Sequence, residues 1–272
     1  MQFALQREWD VAIEAARAAG DVVRHYYRRK VRVRYKEAGK HNPVSEADLE
    51  ANRVIESHLR ATFPEDGWLS EETRDSPERL QKQRVWIVDP LDGSREFLEH
   101  IPEFVVCVAL AIEGQPALGV EYNPIREELF VGAVGRGAFL GEEPVKVSTT
   151  QTLSEARFLA SRSEDRRGEW DEFKSEIRVE LTGSVAYKLA LIAAGRADAT
   201  FSLTPKNEWD ICAGAALIEA AGGRITDRFG NALRFNQRHT RLPGIIATNG
   251  HLHEPVLQLL ARHGKLVEKA KG

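Results

Sequence analysis

Cysteine is almost absent from this sequence: there are two in 272 residues, Cys107 and Cys212, each set among apolar neighbours. Two such thiols do not make the disulfide framework of a secreted domain; they read as reduced, packed side chains of a cytosolic protein. A dominant charge is missing as well, since 38 Lys and Arg against 41 Asp and Glu leave a net charge of −3. Proteins that grip a nucleic-acid backbone carry a basic footprint, so no nucleic-acid polymer is expected as a partner and a small substrate is. No segment approaches the ~20 apolar residues that span a bilayer, and Met1 to Glu8 hold no apolar leader core. A soluble, untargeted, cytoplasmic protein with no membrane partner is expected. Internal repeats and low-complexity tracts are lacking. The histidines offer no zinc pattern: among His100, His239, His251, His253 and His263 only His251 and His253 are closely spaced, which suits surface or packing roles.

What is present is one conspicuous stretch, Val85-Trp86-Ile87-Val88-Asp89-Pro90-Leu91-Asp92-Gly93-Ser94. Its apolar run, stopped by Pro and Gly, suits a buried strand, and Arg95-Glu96-Phe97-Leu98-Glu99 can open a helix. Asp89 and Asp92 then stand at the strand's carboxyl end. Beside them, the backbone N–H groups of Gly93 and Ser94 can turn toward an anion at a helix start. Carboxylates next to an anion cradle repel that anion unless a cation intervenes. The pair therefore points to a hard divalent metal, Mg²⁺, bridging the acids to a phosphate oxygen. Taken alone, a polar turn with Asp as helix cap accounts for it equally.

Around this stretch the pattern alternates between helical and strand periods. Leu5 to Tyr27 is an amphipathic helix, Val31 to Tyr35 a half-buried strand, and Gly39 to Pro43 a break. Ser45 with Asp48 three residues on resembles a capping box for a helix running to Phe63-Pro64, which leaves Asp48 two jobs, cap or catalyst. Trp68-Leu69-Ser70 leads into Glu71-Glu72, then a polar loop or short helix up to Arg84. Phe104 to Ile112, Ala117 to Tyr122 and Glu128 to Val134 predict an antiparallel meander, with Gly132, Gly135, Gly137 and Gly141 as hairpin turns rather than a phosphate loop. From Thr149 strands alternate with helices: Phe158 to Ala160, a charged helix over 164–176, Ile177 to Leu181, a helix from Ser184 to Ala194, Ala199 to Leu203, and an Ala-rich helix from Ile211 to Ala221 stopped by Gly222-Gly223. Arg224 to Thr226 and Gly244 to Ala247 are closing strands, followed by a helix from His253 to Lys265. Asp210 reads as the N-cap of the Ala-rich helix, and Glu71 alone is a loop acid.

As a set these residues are more specific. Ser70-Glu71-Glu72, Trp86-Ile87-Val88-Asp89-Pro90-Leu91-Asp92-Gly93-Ser94 and Trp209-Asp210-Ile211-Cys212-Ala213-Gly214 with Glu219-Ala220-Ala221-Gly222-Gly223 resemble the inositol monophosphatase superfamily of metal-dependent, lithium-sensitive phosphatases, from about Lys36 to Asn249. The resemblance implies a mixed α/β fold, a layered αβαβα sandwich with an N-terminal lobe (1–150) carrying most metal ligands and a C-terminal lobe (151–272) carrying Asp210 and substrate contacts. It also implies a homodimer and a small phosphorylated substrate. Glu71, Asp89, the carbonyl of Leu91, Asp92 and Asp210 would hold two or three Mg²⁺ ions, which lower the pKa of a water from 15.7 toward about 7. Asp48, Glu71 and Ser94 would prepare that water, Ser standing where the family usually has Thr, and the N–H groups of Gly93 and Ser94 would hold the phosphate.

For the substrate, Ser94-Arg95-Glu96-Phe97 and Ser161-Arg162-Ser163 are similar to CysQ-type 3'(2'),5'-bisphosphate nucleotidases. Arg162 or Lys188 would meet a second phosphate. Gly183-Ser184-Val185, with its lysine one position later than in the nucleotidase pattern, also suits inositol phosphatases; Gly183 and Ser184 are substrate candidates in both. The leading expectation is hydrolysis of 3'-phosphoadenosine 5'-phosphate to AMP. The second is an inositol-1-monophosphatase or broad sugar phosphatase. A silent phosphate-ligand sensor is the third, but its mark would be a missing metal acid, and none is missing.

Overall fold

The computed structural model describes residues 4–29, 31–35 and 43–266; the break expected over Gly39 to Pro43 lies outside them except for Pro43 itself. Helix α1 (Gln6–Tyr26) buries Ala12, Ala15, Ala16, Ala19 and Val23 along one stripe, as its spacing requires. Short strands β1 (Val33–Tyr35) and β2 (Pro43–Ser45) pair antiparallel and lead into α2 (Glu46–Thr62), capped reciprocally by Ser45 and Asp48. Next come β3 (Gly67–Ser70), a 3-10 turn (Pro77–Gln81), β4 (Arg84–Asp92), the short helix α3 (Ser94–Leu98) and the strands β5 (Val105–Ile112), β6 (Gln115–Asn123), β7 (Glu128–Ala133), β8 (Gly137–Leu140) and β9 (Glu143–Val145). β3 to β9 form one sheet in sequence order, parallel only between β3 and β4.

The remainder runs β10 (Arg157–Ala160), α4 (Arg162–Arg166), β11 (Arg178–Leu181), α5 (Val185–Ala193), β12 (Ala199–Ser202), β13 (Lys206–Asn207), α6 (Glu208–Ala220), β14 (Arg224–Asp227), β15 (Arg241–Leu242), β16 (Ile245–Thr248) and α7 (His253–Arg262). A second sheet takes the order β11-β10-β12-β16-β14, with the β10 pairings parallel and the β16 pairings antiparallel.

Three apolar cores stack these pieces into five layers. One core joins α1 and α2 to the first face of the seven-stranded sheet, through Trp86, Val88, Val106 and Val108. A second lies between the sheets and is filled by α5 and α6, which have almost no polar face and therefore fit only where both sides are covered. The third packs Phe158, Phe201, Trp170 and Phe173 with the Val256 and Leu259 side of α7. The resulting order, helix-sheet-helix-sheet-helix, is the layered sandwich expected. No helix among the described residues is long and apolar enough to cross a membrane.

Four local expectations need correction. Gly132 lies inside β7 rather than in a turn, because a Cβ there would sit 3.1–3.2 Å from Leu217 and Ala220 of α6. The charged helix expected over 164–176 is only α4: Gly168 takes φ +69°, and the turns after it carry Trp170 and Phe173 inward, where Trp170 stacks on Phe201 with ring centroids 4.0 Å apart. Helix α6 starts three residues earlier than expected, so Asn207 is its N-cap and Asp210 its third residue. Helix α7 stops at Arg262 instead of Lys265. The polar stretch before β4 is partly inward as well: Arg79 is 2% exposed, and its guanidinium reaches Asp75, Asn236 and the Gln237 carbonyl.

Candidate active site

At the carboxyl end of β4 a cavity of about 950 Å³ opens between α3, α4 and the N-termini of α5 and α6. Asp89 and Asp92 both line it, although residues three apart on a regular strand face opposite sides. A bulge resolves this. Asp89 pairs with Cys107 and Asp92 with Val105, so β4 spends one residue more than β5 over the interval. Pro90, which has no N–H to offer the ladder, sits in the interval. Leu91 consequently turns to the α1–α2 core while its N–H donates to Asp89 Oδ1 at 2.9 Å. Gly93 follows at φ +98°, with the Phe104 Cβ 2.9 Å from where its own Cβ would stand; the chain can leave the strand here only through glycine.

Asp48 makes the helix cap and keeps one oxygen for the cavity side. Its Oδ2 accepts from the Ser45 N–H at 2.8 Å and the Ser45 hydroxyl at 2.6 Å, closing the cap of α2, which leaves Oδ1 for the Ser94 hydroxyl at 2.9 Å. The Ser94 hydroxyl also lies 3.0 Å from the Leu91 carbonyl, and Ser94 lines the cavity. Burial raises the pKa of Asp48, opposed by the bonds from Ser45 and Ser94, so its carboxylate is a stronger base than a surface aspartate.

Glu71 follows β3 directly, and its N–H extends the parallel pairing to the Val88 carbonyl at 3.2 Å, which places it beside Asp89. Asp210 enters from the first turn of α6, its Oδ2 accepting from the Asn207 N–H at 3.0 Å. Glu71, Asp89 and Asp210 each bring one oxygen within 4.8 Å of the others. At about 5 Å and an effective dielectric near 20, each pair of like charges costs roughly 3 kcal/mol. The titration follows suit. Burial first, then Glu71, Asp92 and Asp210, push Asp89 well above the usual range, and burial with Asp92 and Glu71 pushes Asp210 up to about 8. An all-oxygen set this crowded fits a hard dication such as Mg²⁺, whose charge would remove the repulsion.

Asp92 stands slightly apart. Its Oδ2 accepts the Ser184 hydroxyl and the Ala186 N–H, the latter at 2.7 Å, so it is docked on the N-terminus of α5. Ser184 is that helix's N-cap and takes φ +58°, a costly conformation for a non-glycine residue that aims the hydroxyl at Asp92. Leu91, Gly93 and Ser184 border the cavity; Gly183 lies behind, its N–H on Glu103 Oε2 at 2.7 Å.

The two basic residues expected at a second phosphate are engaged elsewhere. Arg162 is not in the cavity wall and forks onto Glu103 at 2.5 and 3.2 Å. Lys188 does line the cavity, but it is 1% exposed and its ammonium rests 3.4 Å from Glu164. Other cations border the cavity instead: Arg95 on α3, Arg166 and Arg167 on α4, and Lys206 on β13. Asn207, three residues before Asp210, was findable as the N-cap of a capping box, and Lys206 directly precedes it. Glu164 was signalled by Ser161, with which it closes a capping box. Cys107 and Cys212 are buried and unpaired, and His253 is buried between Thr226 and Thr248, 3.0 and 3.2 Å away; among the described residues the one cluster of potential metal ligands is Glu71, Asp89 and Asp210.

The model of the inositol monophosphatase family matches residues 5–265. Inositol monophosphatase 3 of Solanum lycopersicum is 34% identical, over 92% of this chain and 95% of the relative. Among solved structures, an IMPase of Thermotoga maritima superposes with a TM-score of 0.84 at 28% identity, covering 94% of this chain and 98% of that one. CysQ from Bacteroides thetaiotaomicron, a bacterial member of the inositol monophosphatase family, gives 0.75 at 28% identity, over 92% and 99%.

Proposed function

The chain belongs to the inositol monophosphatase family and is a phosphoric monoester hydrolase, and from that premise we propose that it is a Mg²⁺-dependent enzyme acting on a small polyol phosphate, with inositol 1-phosphate as the first substrate to test. The observation that carries the chemistry is the meeting of Glu71, Asp89 and Asp210 within 4.8 Å in a cavity that Ser94 also lines. Glu71, Asp89, the Leu91 carbonyl, Asp92 and Asp210 would hold two or three ions. Bound there, Mg²⁺ would acidify water and neutralise charge on the phosphate and the departing oxygen.

The chain's own groups do the rest. Ser94 takes a proton from the attacking water and passes its own to Asp48 Oδ1; the Ser45 bonds hold Asp48 in place for that transfer. Glu71 orients the same water. The N–H groups of Gly93 and Ser94, at the start of α3, hold phosphate oxygens. Ser161, Ser163, Asn207 and Glu96 in the cavity wall suit a ligand with several hydroxyls. The homodimer and a cytoplasmic setting belong to the same reading.

A second reading, hydrolysis of 3'-phosphoadenosine 5'-phosphate to AMP, is favoured by Arg95, Arg166 and Arg167 at the cavity edge and by the likeness to CysQ. With Arg162 and Lys188 engaged by Glu103 and Glu164, we place it behind the polyol phosphate. Phosphate release measured on both compounds with Mg²⁺, with Asp89→Asn as control, decides the matter. A higher kcat/KM on the bisphosphate reverses the order, and no release from either removes both substrate readings.

A further inference from the structure

Behind the substrate wall lies a buried knot of charge that the proposed reaction does not use. Glu164, 1% exposed, ties four elements together. Its Oε2 accepts the Ser161 N–H at 3.0 Å, fixing the start of α4, and meets the Lys188 ammonium of α5 at 3.4 Å. Its Oε1 accepts the Ser202 hydroxyl of β12 at 2.9 Å and faces the Lys206 ammonium of β13 at 3.6 Å. Burial pushes the Glu164 carboxyl up, but Lys188 and Lys206, together with the hydrogen bonds from Ser161 and Ser202, more than reverse this, so it stays ionised.

The two lysines lead straight to the metal acids. Lys188 lies one helical turn beyond Ser184, whose hydroxyl holds Asp92. Lys206 adjoins Asn207, whose N–H holds Asp210. Asp92 is thus docked on α5 and Asp210 on the start of α6, and Glu164 bridges α5 to the strand that feeds α6. Its contacts span the seam across which these two acids must keep their separation. Because it also anchors α4, the wall bearing Ser163 and Arg166 is fixed to the same point.

We propose that Glu164 is a positioning residue, which through Lys188 and Lys206 sets the spacing of Asp92 and Asp210 and so the affinity for the divalent metal. It touches neither metal nor substrate. The proposal rests on the metal-dependent reading of the site. Groups bonded directly to metal ligands, as Ser184 is to Asp92 and the Asn207 N–H to Asp210, typically change metal affinity roughly 10–100-fold when removed, and Glu164 acts one step further back, so a smaller effect is expected.

The test uses the whole protein and reads melting temperature against Mg²⁺ concentration, beside kcat and KM on inositol 1-phosphate. Glu164→Gln keeps the shape but leaves Lys188 buried without a counter-charge, and it is expected to melt lower. The double variant Glu164→Gln with Lys188→Met removes that stranded charge and is expected to recover most of the metal-free melting temperature, while its Mg²⁺ midpoint stays raised by more than about twofold. Its KM is expected to rise and kcat at saturating Mg²⁺ to change by less than about threefold. A double variant with a Mg²⁺ midpoint within about twofold of wild type overturns the proposal, showing that Glu164 only supports the fold. Absence of any Mg²⁺ response in the wild type overturns the metal reading and the proposal with it.

Discussion

Ser94 and Asp48 belong to different elements and are 46 residues apart, yet the Ser94 hydroxyl lies 2.9 Å from the one Asp48 oxygen that the helix cap leaves free. On the proposed proton path, the cap of α2 and the base are therefore one carboxylate. Ser94→Ala is expected to lower kcat by roughly a hundredfold or more with KM little changed. Ser45→Ala removes a cap worth about 1 kcal/mol and also loosens Asp48, so it is expected to lower both the melting temperature and kcat. Steady-state kinetics of the two variants check this; a kcat for Ser94→Ala within twofold of wild type refutes the proton path.

Asp89→Asn is expected to act in opposite directions on stability and activity. It relieves repulsion with Glu71, Asp92 and Asp210, all of which push the Asp89 carboxyl up after burial itself. The metal-free variant is expected to melt above the metal-free wild type at pH 8 and to release no measurable phosphate. Calorimetry with a chelator present gives the first result, and a lower melting temperature contradicts the account of the site as a strained acid cluster.

Glu121 is fully buried on β6, and neither of its carboxylate oxygens has a hydrogen-bond partner. Burial, and then the Asp92 charge, push its pKa well above the usual range, so it costs increasing stability as pH rises from the ordinary carboxylate range toward that raised value. Replacing an unsatisfied buried group with an apolar one of similar shape recovers about 1–3 kcal/mol. Glu121→Val is accordingly expected to raise the melting temperature by a few degrees, more at pH 9 than at pH 6. An unchanged or lower value would mean that the carboxyl has a partner in solution.

His253 gives the opposite pH sense. Burial, and then Arg224, lower its pKa to about 4 from an ordinary 6.5, so the folded protein holds it neutral. Below pH 6.5 the unfolded chain takes up a proton that the folded one refuses, and stability falls until about pH 4, by on the order of 3 kcal/mol. His253→Gln is expected to flatten the decline of the urea midpoint between pH 7 and 4.5. Parallel curves for the two proteins would discard this assignment.

Much of the fold was legible because its signals are local. The run before Asp89 and the alternations of β5 to β7 state their period within a few residues, and the distant acids were recognisable as a set. The errors share a different cause. Arg162 and Lys188 were free cations on sequence grounds, but their carboxylates, Glu103 and Glu164, lie 59 and 24 residues away. No spacing rule links such pairs. Helix α6 was started late because its first turn is polar, yet Glu208 there is buried, accepting the N–H groups of Asn236 and Gln237. The helix expected over 164–176 has a helical composition, and the burial of Trp170 and Phe173 against Phe201 overrides it.

The extra residue in β4 has a consequence for how the gene can change. Because side chains alternate with period two, losing one residue between Asp89 and Asp92 would restore a regular strand with both acids still on one face, but it would remove the extra backbone unit through which the Leu91 N–H meets Asp89 and the Leu91 carbonyl meets the Ser94 hydroxyl. Substitution at Leu91 alters packing, whereas a one-codon deletion there removes those backbone groups from the site. The motif is therefore protected as a length before it is protected as a set of letters.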